Sequence, residues 1–342
     1  MHGIIFLLIY AYAVILAVQP RVFPQSLFRV SWFFVAVLVS FSLRENLTGD
    51  IVNYVASIPN VKFSEYYSRE FMFWYPAKLI SIVFTHPLAP IYALDIITFI
   101  FFYFGLNSIL NRDIDKTNIP DNNFIFFCVL IYAPLIMGYT NYYRQIIASA
   151  IALCSIGFII QNKHIKSGIF FSVAAFTHNP VLLFLPFLMK FNLKILMWFG
   201  LLSSLILSLF LLFIKIFDVS IFFFLRDSGA SIGATIHLGY FFILCFTSLV
   251  IFGTWQYCRD AESRVIFLFQ ATATMIYLLL MLFVESGNLQ RIFMYIIMIM
   301  FPFYYRIYLK IMGANNSIVR LSFLHIIIFP LILIWPTAIY FN

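Results

Sequence analysis

Long apolar runs alternate with short, often basic loops along this chain, and that pattern limits its fold more than any motif does. Runs able to cross a bilayer lie at about 2–19, 29–43, 91–110, 122–138, 145–161, 194–217, 238–257, 265–284, 292–310 and 321–341. A helical span takes about 20 apolar residues, and hydrocarbon has no water for backbone groups left open at a sheet edge. The runs therefore predict an all-α, polytopic helical membrane protein with about ten full spans. At 63% hydrophobic and 10% charged the chain leaves no room for a soluble domain, where about a quarter of residues are charged. Residues 1–342 read as a single integral membrane domain.

Two stretches break the pattern. Between 167 and 189 two shorter runs flank His178, Asn179 and Pro180, and Pro180 removes an amide donor while pushing Asn179 out of the helical region. A pair of half-helices, or a re-entrant hairpin, is expected there. Residues 44–90 form the longest hydrophilic stretch and include Glu70 to Phe84, a run interrupted by Pro76 and Lys78. It reads as an extracytoplasmic loop with interfacial helices. The run from His2 to Gln19 lacks a basic leader and a small-residue cleavage site, so it reads as a retained first helix.

Basic residues collect on the cytoplasmic side of short loops. With the first loop inside, Arg21, Arg29, Arg112, Lys116, Lys163, Lys166, Lys190, Lys194, Arg259, Arg264, Arg306, Lys310 and Arg320 all face the cytoplasm, and both termini are extracytoplasmic. The net charge of +8 then has its cause in topology and calls for no nucleic acid. The four cysteines, Cys128, Cys154, Cys245 and Cys258, are scattered, and neither CxxC nor HExxH occurs, so no metal or other cofactor is expected. No GxxxxGK[ST] is present, which argues against a one-chain ATP-driven pump.

The basic residues left on the outer side are the ones topology does not explain. Arg44, Arg144, Arg226 and Arg291 each sit at the outer end of a span or in a short outer loop. They either converge on one cavity, or snorkel to lipid headgroups and pair with Glu285 or Asp227. Converging guanidinium groups would suit a phosphate or pyrophosphate. Tyr54, Tyr66, Tyr67, Trp74, Tyr75, Tyr139, Tyr142 and Tyr143 accompany them, either to stack on a sugar or as an interfacial aromatic belt. His178 suits general-base work on a hydroxyl, or else caps free carbonyls at the helix break. Asp50 and Glu70 either orient these groups or are solvated loop charges.

Four short segments together resemble the EpsG-like branch of the Wzy polysaccharide polymerases. They are Arg44 through Asp50 with Tyr54; Glu70-Phe71; Tyr142-Tyr143-Arg144-Gln145-Ile146-Ile147-Ala148 followed later by Phe176-Thr177-His178-Asn179-Pro180; and Gln290-Arg291-Ile292-Phe293-Met294-Tyr295. The similarity covers roughly 40–300, with one departure at Asn179-Pro180, where a small residue such as serine is expected. The resemblance implies a GT-C-like membrane fold in the bacterial plasma (inner) membrane. It implies a metal-independent glycosyltransferase that joins undecaprenyl-pyrophosphate-linked oligosaccharide repeat units on the extracytoplasmic face, building O-antigen, capsule or exopolysaccharide. A chain-length regulator is a partner in keeping with that family.

On this reading His178 takes the acceptor proton, Arg144 and Arg291 stabilise the departing pyrophosphate, and Arg44, Asp50, Tyr54, Glu70, Tyr143, Gln145 and Arg226 bind substrate. A flippase for the same lipid-linked sugars, or an O-antigen ligase or membrane acyltransferase, remains the alternative.

Overall fold

The computed structural model describes residues 3–19, 24–45, 47, 50–62, 64–110, 123–132, 142–188, 231–281, 286–313 and 315–334. All regular structure among them is helical. The α-helices are α1 (Gly3–Val18), α2 (Gln25–Arg44), α3 (Asp50–Ser57), α4 (Glu65–Ser68), α5 (Phe71–Val83), α6 (Ala89–Leu110), α7 (Asn123–Leu130), α8 (Tyr143–Ile160), α9 (His164–Thr177), α10 (Ser231–Cys258), α11 (Ala261–Met281), α12 (Ser286–Met312) and α13 (Ser317–Ile334). Short 3₁₀ helices cover Ile58–Asn60 and Asn179–Leu188.

By length and apolarity, five stretches among the described residues can cross a membrane: Ser26–Arg44, Ala89–Leu110, Tyr143–Ile160, Gly239–Cys258 and Arg291–Met312. Ile4–Val18 and Ser317–Ile328 are apolar but shorter. The run expected at 194–217 lies outside the described residues, as does the end of the one at 122–138. A helical membrane protein is thus what the chain builds, with five such spans described where the sequence predicted about ten. Among the described residues of 44–90, α3, α4 and α5 are short helices. At a 1.5 Å rise per residue, the 13 residues of α5 reach only about 20 Å, short of a bilayer core of about 30 Å.

The chain divides into two compact units, Met1–Leu182 with Tyr304–Asn342, and Leu183–Phe303. The first is built around α6, α8 and α9. Small residues bring α6 and α8 close: a Cβ on Gly105 would stand 2.8 Å from that of Leu153, and one on Gly157 would collide with Ser108. Without a hydrophobic drive between helices in lipid, such close backbone approach is what packing offers instead. Trp32 of α2 is fully buried, donates to the carbonyl of Phe126 at 2.7 Å and packs against Tyr103.

Hydrogen bonds fix which helix ends share an end of this unit. Arg306 donates to the carbonyl of Ile109 (2.9 Å), Gln161 to that of Ser108 (3.3 Å) and Arg320 to that of Ala17 (2.7 Å), each meeting carbonyls at a helix C-terminus that lack helical partners. The opposite ends of α6 and α8 meet where the Tyr143 hydroxyl donates to the carbonyl of Ile91 at 2.9 Å. Arg44, the last residue of α2, bonds Asp95 near the start of α6. The segment between them therefore leaves and re-enters the unit at one end, and α5 does not cross it.

In the second unit α10 and α11 pair through polar side chains. Gln270 donates to the Thr247 hydroxyl at 2.8 Å, and Ser248 and Thr274 share a hydrogen bond at 3.0 Å. Asp260 caps α11 by accepting from the backbone and the hydroxyl of Ser263. Phe293 stacks on Tyr240 with ring centroids 4.1 Å apart.

Candidate functional site

Four segments of the first unit meet at the end that carries the N-terminus of α8. Each delivers one polar side chain for a local reason. Glu70 is the residue before α5; its carbonyl accepts from the amides of Phe73 and Trp74, while its side chain takes no part in capping and is left to point elsewhere. His178 ends α9, in extended geometry (φ −157°, ψ 110°) with its amide still bonded to the Ala174 carbonyl at 2.9 Å. The break expected from Pro180 is present, as an α-helix followed by a 3₁₀ helix instead of two α half-helices. Arg144 lies in the first turn of α8, and Tyr54 in the second turn of α3.

Glu70 is the hub. Its Oε1 accepts from His178 Nδ1 at 2.5 Å, and its Oε2 forms an ion pair with Arg144 Nη1. Arg144 Nε in turn donates to the Tyr54 hydroxyl at 3.0 Å. The guanidinium carbon lies 5.4 Å from the Tyr54 ring and 5.6 Å from that of Trp74, so two aromatic rings hold the cation in place. A carboxylate only accepts, so the imidazole donates from Nδ1 and its neutral form carries its acceptor lone pair on Nε2. The Arg144 side chain keeps 17% of its surface exposed, enough for an anion to reach it, while the Glu70 side chain keeps 9%.

The electrostatics follow from these contacts. Burial by itself would raise the Glu70 carboxyl; the His178 hydrogen bond and charge and the Arg144 guanidinium outweigh it and hold Glu70 below the usual carboxylate range. Burial pushes the Tyr54 phenol up, Arg144 opposing and Asp50 and Glu70 adding to the rise, so Tyr54 is a neutral hydroxyl. The assembly can therefore offer a buffered base on one side and an oriented cation on the other. Among the described residues no group of three or more His, Cys, Asp or Glu side chains is placed to hold a metal ion.

Glu70, Arg144, His178 and Tyr54 were all singled out in the sequence, and the fold brings them together. Asp50 opens α3 one turn before Tyr54, near enough for its charge to act on that phenol. Arg44 is held apart from this assembly. It is 2% exposed, with Nε and Nη2 on the two oxygens of Asp95 at 3.0 and 2.8 Å, and Ser40 donates to the same carboxylate at 2.5 Å. Bidentate pairing inside the helix bundle makes it an internal tie between α2 and α6 instead of an open anion site.

Tyr143 and Gln145 are buried as well, and Tyr143 forms a wall behind Tyr54 and under Arg44. Arg291 lies on α12 in the second unit, half-buried. Arg226 lies outside the described residues. Two contributors were missed: Trp74 as a support for Arg144, and Asp95, whose signal was a lone carboxylate within an apolar run.

No curated relative and no solved structure matches the chain. The family model described as the EpsG family matches residues 26–341. With nearly its whole length matched and an all-helical, apolar build, the chain belongs to the EpsG family of membrane proteins associated with polysaccharide biosynthesis.

Proposed function

We propose that the protein is a polysaccharide polymerase of the bacterial plasma membrane, joining undecaprenyl-pyrophosphate-linked oligosaccharide repeat units on the extracytoplasmic face. The observation that carries this reading is one carboxylate, Glu70, bonded at once to an imidazole and a guanidinium. His178 Nε2 takes the proton of an acceptor hydroxyl as that oxygen bonds to the anomeric carbon of the donor. The bond from that carbon to the pyrophosphate oxygen breaks, and its electron pair leaves with undecaprenyl pyrophosphate. Glu70 stays ionised and supports the imidazolium; Arg144 offsets the charge growing on the leaving group. Tyr54 and Asp50 are retained as contacts to the glycan.

Sidedness supports the outer face. The site is at the end of its unit opposite Lys163, Lys166, Arg306 and Arg320, the end that the positive-inside bias puts in the cytoplasm. The test is polymer length in a deletion strain complemented with His178→Ala, Glu70→Gln or Arg144→Ala. Each variant is expected to insert normally and to leave single repeat units on the surface glycolipid. Wild-type polymer from all three variants would remove the proposal. A deletion strain that displays no repeat unit at all would favour a flippase instead, and one that still makes free polymer would favour a ligase.

A further inference from the structure

The base of the proposed mechanism sits at a break in the chain, and a break alone does not aim a side chain. Three contacts join the segment around Glu70 to the end of α9 here. Phe71 packs on Phe176 with ring centroids 4.9 Å apart, Glu70 bonds His178, and the carboxamide of Asn179 lies 2.9 Å from the carbonyls of both Arg69 and Ala175. Both of those neighbours are acceptors, so the amide nitrogen is the atom that faces them and donates to each. The Ala175 carbonyl is one that the end of α9 leaves without a helical partner, and the Arg69 carbonyl belongs to the residue before Glu70.

We propose that Asn179 is a positioning residue: by bridging the carbonyls of Ala175 and Arg69 it holds the imidazole of His178 on the carboxylate of Glu70. Pro180 cannot donate, and Asn179 is the first side chain after the break able to reach back to the helix and across to the Glu70 segment at once. The ring pair and the carboxamide grip the Glu70–His178 bond from both flanks. This inference rests on the proposed role of His178 in catalysis; the bond itself can be observed without it.

The experiment uses full-length protein in detergent, carrying nitrogen-15 histidine. A short hydrogen bond to a carboxylate gives the His178 Nδ1 proton a low-field resonance, identified by its loss in His178→Gln. Asn179→Asp, nearly the same shape but unable to donate, is expected to abolish that resonance, as is Asn179→Ala. Asn179→Ser, with one donor, should retain part of it, and helical circular dichroism should be unchanged in all three. Polymerisation should fall at least tenfold in the Asp and Ala variants through kcat, with KM for the lipid-linked unit unchanged and the pH profile displaced. A wild-type resonance in Asn179→Asp would overturn the inference. If that resonance is lost in Asn179→Asp while His178→Ala still polymerises normally, the positioning role stands and the catalytic reading falls.

Discussion

Glu70 holds an imidazole with one oxygen and a guanidinium with the other, and that sharing decides how the site answers pH. Its carboxyl is depressed in the folded protein relative to about 4.3 in an open chain. A depressed carboxyl adds stability that is present above the unfolded value and drains away as pH falls through the folded one. Thermal unfolding in detergent should therefore be flat from neutral pH to about 5 and weaken below about 4, and Glu70→Gln should remove that acid-side component. Arg144→Lys should behave like Arg144→Ala, losing about a hundredfold in polymerisation rate, because an ammonium cannot serve Glu70, the Tyr54 hydroxyl and two aromatic faces together. The polar members of the site were legible because charge beside a membrane span is costly and so rarely idle. Trp74 was not, since nothing in its spacing separates a ring that supports a cation from the aromatic belt that any interface carries.

Arg44 and Asp95 show where helix pairing hides from a single sequence. Arg44 sits at a span end like Arg144, and only the packing of α2 on α6 tells the sealed cation from the accessible one. Removing one partner of a buried pair strands the other, at about 3–5 kcal/mol, whereas replacing both with apolar groups is close to neutral. Arg44→Met should thus lower the melting temperature sharply in detergent, and Arg44→Met with Asp95→Leu should recover most of the loss. If Arg44 served substrate instead, the double variant would regain stability without any polymer. The break after α9 was legible because Pro180 allows little else.

Topology follows from where segments return. Since Arg44 at the end of α2 holds Asp95 at the start of α6, the helices between them, α3 to α5, hang from one end of their unit, together with Glu70, Arg144 and His178. The other end gathers Lys163, Lys166, Arg306 and Arg320, and the proposed sidedness takes that basic end as the cytoplasmic one. The proposed sidedness requires that Glu70 to Phe84 does not cross the bilayer, for a crossing would reverse every later loop. Exposed positions at the two ends make the test direct. In a background without the four native cysteines, single cysteines at Glu45 and Arg69 should react with an impermeant maleimide on intact cells, and those at Lys163 and Lys166 only after permeabilisation. A cysteine at Arg69 that reacts only after permeabilisation would put the proposed site in the wrong compartment for a lipid-linked glycan displayed outside, whatever the variants of His178 do.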